Sequence, residues 1–104
     1  MLSQEGEISK HFGESPYFAL VQVNSKTNHV KNKEIITNPY TQKEKGKGIA
    51  VAEDLVHRGI DYLVVKESLR GKGPHYVLED YLVKLVNTDK NRMEEVFRDL
   101  GIIE

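Results

Sequence analysis

The apolar positions fall first into two extended segments. Tyr17-Phe18-Ala19-Leu20-Val21-Gln22-Val23 is aromatic and β-branched, whereas Val30 to Ile36 is more polar, with Ile35 and Ile36 at its end. Asn24-Ser25-Lys26-Thr27-Asn28 between them has turn composition, so the two segments read as a hairpin whose second strand is outer and solvent-washed. Lys31 and Lys33 suit such an edge, where charge discourages pairing with other chains. Beyond Asn38-Pro39-Tyr40 and a polar loop from Thr41 to Lys47, the period changes to that of a helix. Ile49, Ala52, Leu55 and Val56 share one face, Glu53/His57 and Asp54/Arg58 form four-apart pairs on the wet side, and Gly59 supplies the stop. Ile60 to Val65 is a nearly continuous apolar run, as expected of a strand covered on both faces. Gly73-Pro74 opens a second helix with a buried stripe of Val77, Leu78 and Tyr81. Leu82 to Val86 reads as a third core strand, and Met93, Val96, Phe97 and Leu100 give a last helix its apolar face before Gly101.

The order hairpin, helix, strand, helix, strand, helix predicts an α/β fold. Strands joined through helices imply parallel crossovers, while the hairpin adds antiparallel pairing. The expected architecture is a mixed sheet, flanked by helices in three layers. Residues 1–104 read as one domain, without internal repeats.

Composition narrows the chemistry. The chain has 104 residues and no cysteine. A chain of this size buries roughly two-thirds of its unfolded surface, enough for one core without staples. The lack of cysteine excludes disulfides, a thiol nucleophile, a thiolate zinc site and any iron-sulfur cluster held by the chain's own thiolates. A formal charge of −1 provides no global field to recruit nucleic acid or an anionic membrane, so an anion site has to be local. The longest apolar run, Tyr62 to Val65, is far short of the roughly 20 residues a spanning helix needs. Met1 to Gly6 lacks the pattern of a signal peptide, and the expected location is cytoplasmic.

Three loops carry unusual residue types. In Ser9-Lys10-His11-Phe12-Gly13-Glu14-Ser15-Pro16, the His11 imidazole is able to bind a metal or hold a proton near neutral pH; the plainer alternative is a loop histidine bonded to backbone. Lys45-Gly46-Lys47-Gly48 leads into the first helix, where free N–H groups, a lysine and unobstructed glycines make an anion site reasonable. It lacks the spacing of a Walker loop, and a solvated connector is the alternative. Gly71-Lys72-Gly73-Pro74-His75 repeats the device at the second helix, where ligands of open α/β sheets collect, although glycine-proline also serves as a plain turn and cap. No nucleophile elbow, His-Glu-x-x-His or Asp-x-Asp pair is present. His29 and His57 read as surface residues, and an exposed ion pair is the simpler account of Glu53 with His57 than a metal site.

These residues resemble a known family. Ile8-Ser9-Lys10-His11-Phe12-Gly13 with Pro16-Tyr17-Phe18, then Asn38-Pro39, Gly46-Lys47-Gly48 with Ala52, Gly59-Ile60-Asp61 and Gly73-Pro74 are similar to the dinitrogenase iron-molybdenum cofactor biosynthesis domain, from about Ile8 to the last helix. The segment from Gly71 to Leu78 is also similar to versions of this domain fused to cation-efflux transporters. The resemblance implies a ribonuclease H-like fold with a five-stranded mixed sheet, and a non-enzymatic role in binding or carrying an iron-sulfur-molybdenum cofactor or precursor. Carried over by position, His11 is the implied metal ligand or contact. The implied cofactor cleft is lined by Gly46, Lys47 and Gly48 and by Gly71, Lys72 and Gly73. The family's usual first strand, an apolar segment in the middle of the sheet, reads as missing or truncated ahead of Ile8, or as supplied by another segment or chain, which raises the expectation of rearranged pairing or self-association.

The leading expectation is therefore a non-enzymatic carrier of an anionic metal-sulfur guest, working with cofactor-maturation proteins. The alternative is a metal-sensing or regulatory domain tied to a cation-efflux transporter. No nucleic-acid partner and no membrane insertion are expected. An enzyme of nucleotide chemistry would rest on fold alone, which assigns no function.

Overall fold

The structure, a computed structural model, describes Leu2 and residues 6–104. Strands β1 (Tyr17–Val23) and β2 (Val30–Thr37) form the antiparallel hairpin, in register from Tyr17↔Thr37 to Gln22↔Asn32, with a slip that brings Val23 opposite Val30. The turn closes as its composition predicts. Asn24 Oδ1 accepts the N–H groups of Lys26 and Thr27, and Asn28 takes the left-handed conformation (φ 62°) that asparagine tolerates. Most of β2 is exposed, as its lysines suggest.

Helix α1 (Lys47–His57) starts from Gly46, at φ 71°, and buries Val51, Ala52 and Leu55. Strand β3 (Tyr62–Val65), helix α2 (Gly73–Asp80) and strand β4 (Lys84–Asn87) form a parallel crossover, with Tyr62↔Lys84 to Val65↔Asn87 in register. Helix α3 (Met93–Leu100) closes on Gly101. The fold is thus α/β, with antiparallel and parallel pairing both present. The described strands form two two-stranded sheets. Both sheets contribute to one core, where Phe18 of β1 and Leu63 and Val65 of β3 join Val51, Leu55 and Leu78 from α1 and α2. On the edge of β1 away from β2, Leu2 pairs antiparallel with Tyr17 and also with Ile8. The expectation about the chain's first segment falls partly on residues 1 and 3–5, which lie outside the described residues.

Several local expectations change. Helix α2 ends at Asp80, so Tyr81 sits at its C-cap, 63% exposed, rather than in the buried stripe. Leu82 does not begin a strand. Its N–H donates to the Glu79 carbonyl and that of Val83 to the Leu78 carbonyl, a left-handed helix ending in which Leu82 (φ 60°) holds the position glycine usually takes. Gly101 holds the equivalent place after α3, with Ile102 donating to Phe97. Strand β3 alternates instead of being covered on both faces: Leu63 and Val65 are buried, whereas Tyr62 is exposed beneath the Lys84 ammonium. Leu100, in the last turn of α3, is partly exposed, and the buried face of that helix consists of Val96 and Phe97.

Candidate functional site

The loop before β1 is held by buried polar groups. Asn38, just past β2, donates from Nδ2 to the Ser15 carbonyl at 2.8 Å and to that of Gly13 at 3.4 Å, while its Oδ1 accepts the Tyr40 N–H. Ser15 Oγ lies 2.7 Å from the Leu2 carbonyl and 2.8 Å from that of Tyr17, with one proton to give. Both side chains are almost wholly buried, where polar groups persist because they are bonded.

So fixed, the loop lies against the start of α1. A Cβ on Gly13 would stand 3.1 Å from the Gly48 nitrogen, and one on Gly48 would stand 2.7 Å from Pro74 Cγ. Backbone therefore approaches backbone as closely as glycine permits, and three segments distant in sequence meet. Where they meet is a cleft of about 440 Å³. His11, Phe12, Gly13 and Glu14 line it from the first loop, Lys47 and Gly48 from the start of α1, and Glu67, Leu69, Lys72 and Pro74 from the connection after β3. The position, beyond the C-terminal end of β3 and at a helix start, is where open α/β folds gather ligands.

Charge in the cleft is mixed. Lys47 Nζ lies 3.5 Å from Glu14 Oε1, and Lys72 Nζ lies 3.6 Å from Glu67 Oε2. Glu67 Oε1 also accepts the Phe12 backbone N–H at 2.6 Å. The His11 imidazole is exposed and, among the described residues, has no hydrogen-bond partner. Helix α1 has no acidic residue in its first turn, and among the described residues its leading N–H groups meet no side-chain cap and no backbone acceptor.

Of the residues singled out from sequence, His11, Lys47, Gly48 and Lys72 line this cleft, whereas Gly46, Gly71 and Gly73 do not. Gly46 sets the left-handed entry to α1, Gly71 donates its N–H to His75 Nδ1, and a Cβ on Gly73 would run into the Ile49 side chain, so all three shape the loops from outside. Sequence reasoning missed Glu14, Glu67 and the Phe12 N–H. Glu67 had one signal, its place two residues beyond a core strand. Glu53 and His57 line a smaller groove of about 230 Å³ with Asp80 and Tyr81. Among the described residues, no group of three or more histidine or carboxylate side chains is placed to hold a metal ion, and no helix is long and apolar enough to cross a membrane.

The family model described as dinitrogenase iron-molybdenum cofactor matches residues 1–101. Several solved structures are similar, among them the following two. The crystal structure of PH0822 is 20% identical, with a TM-score of 0.73 over 94% of this chain and 81% of that one. The apo form of the orange protein from Desulfovibrio gigas is 20% identical, with a TM-score of 0.69 over 91% of this chain and 76% of that one. At such identity the likeness is one of fold. No curated protein matches the chain in sequence.

Proposed function

Since the chain belongs to the dinitrogenase iron-molybdenum cofactor family, we propose that it is a non-enzymatic carrier whose cleft receives an anionic, preassembled iron-molybdenum-sulfur cluster or precursor as cargo. The observation that carries this reading is the convergence of His11, Lys47 and Lys72, from three separate segments, on one cleft. The donor set suits such a guest. A cluster that brings its own bridging sulfides needs few protein ligands, and without cysteine those fall to the His11 imidazole, with the first N–H groups of α1 and the two ammonium groups, once separated from Glu14 and Glu67, offsetting negative charge. The structural likeness to the orange protein supports the reading, since a protein with an apo form also has a bound one. Gly46, Gly71 and Gly73 act by shaping the loops, and cofactor-maturation proteins are the partners that load and unload the cleft.

The test is anaerobic titration of the purified protein with an iron-molybdenum-sulfur cluster. The wild type binds, and His11→Ala weakens binding by about tenfold or more, the scale on which support around a metal site matters. Unchanged affinity in His11→Ala would remove the assigned ligand, and no binding by the wild type would remove the function.

A further inference from the structure

Building on the cargo-binding reading, we infer that Glu67 determines which anions the cleft admits, by holding with its own carboxylate the donors that a bound anion would use. One oxygen accepts the Phe12 N–H at 2.6 Å and the other lies 3.6 Å from Lys72 Nζ. A backbone N–H and an ammonium on two neighbouring oxygens are the contacts an oxyanion seeks in a protein site. Here a tethered carboxylate already has them.

Glu67 differs in this from the cleft's other carboxylate. Among the described residues Glu14 meets only Lys47, and its side chain is 64% exposed, so water screens the pair and a guest separates it at little cost. The Glu67 side chain is 26% exposed and bonded to the loop itself, while its own carbonyl accepts from Asn87 at the end of β4. Such a carboxylate repels an incoming anion unless it is displaced, and displacement takes away a charge-assisted hydrogen bond. A small oxyanion only replaces what it removes. A larger metal-sulfur anion reaches Lys47, Lys72 and His11 together and gains contacts that the carboxylate does not supply. The cleft therefore rejects small oxyanions and admits polydentate ones, a selectivity built from a repulsive element.

The experiment compares wild type, Glu67→Gln and Glu14→Gln in titrations with inorganic molybdate, alongside the cluster titration. Glutamine keeps an acceptor for the Phe12 N–H and removes the charge. Glu67→Gln binds molybdate at least about tenfold more tightly than wild type, and Glu14→Gln gains less than about threefold. No gain in Glu67→Gln, or an equal gain in Glu14→Gln, overturns the assignment. If the wild type also binds the cluster in a His11-dependent way, the carrier reading survives that failure; if neither cluster nor molybdate binds any of the three proteins, both fall. Independently of any variant, saturating the wild type with the cluster shifts the Phe12 amide resonance as its acceptor changes. A Phe12 resonance that stays put while that of Gly48 moves would also overturn it.

Discussion

The Glu67 carboxylate accepts the Phe12 backbone N–H at 2.6 Å across 55 residues of sequence, tying the loop before β1 to the connection after β3. The bond lies at the edge of the cleft, so on loss of the carboxylate the N–H exchanges a charge-assisted partner for water. Replacing Glu67 with alanine is expected to destabilise the fold by about 1–3 kcal/mol, and Glu67→Gln by less than about 1 kcal/mol, because the amide oxygen still accepts. Urea denaturation of the two variants checks the order.

Asn38 supports the same loop from its other side. Its Nδ2 serves the Ser15 carbonyl and its Oδ1 the Tyr40 N–H, with the residue 3% exposed. Asn38→Ala leaves both groups unpaired and is expected to cost about 2 kcal/mol or more. Amide exchange should speed up between Gly13 and Tyr17; a change confined to Tyr40 would show that Asn38 does not brace the loop.

The close approach at the cleft floor predicts a contrast between two glycines. A methyl group on Gly48 meets Pro74 Cγ at 2.7 Å, a ring atom with little room to yield, while one on Gly73 meets Cδ1 of the exposed Ile49 side chain at the same distance and its Cγ1 at 2.9 Å, two atoms that a rotation toward solvent carries away together. Gly48→Ala is expected to destabilise by about 1–2 kcal/mol after its gain in helix propensity, and Gly73→Ala to stay within about 0.5 kcal/mol of wild type. Thermal unfolding of both variants provides the comparison.

Leu82 holds a left-handed backbone while 86% of its surface faces solvent, so it bears the conformational cost with almost no packing in return. Leu82→Gly is expected to raise stability by about 0.5–1 kcal/mol, once the greater freedom of glycine in the unfolded chain is counted. At about 4–8 °C per kcal/mol for a chain of this size, the rise in Tm is measurable.

The elements with strong local chemistry were legible in the sequence. The Asn24 to Asn28 turn, the Gly73-Pro74 start of α2 and the Gly59 and Gly101 stops all lie where their residue types place them, because conformational preference and capping act within a few residues. Tyr81 and Leu82 were misread because periodicity extended α2 and β4 toward each other, whereas the chain makes a glycine-type helix ending without a glycine. That Lys47, Gly48 and Lys72 belong together followed from the places of their loops at helix starts, whereas His11 joined them only through the family resemblance. Glu14 and Glu67 escaped notice because an acidic residue in a surface loop carries no local signal, and the partners that give Glu67 its place come from a distant loop and from β4.

If the cargo sits among these three loops, amide resonances of the protein recorded without oxygen, before and after addition of the iron-molybdenum-sulfur cluster, locate it there. The predicted result is perturbation centred on Phe12, Gly13, Gly48 and Leu69, with Val56 and Val77 of the smaller groove unmoved. Perturbation centred on Val56 and Val77, or none anywhere, would contradict it.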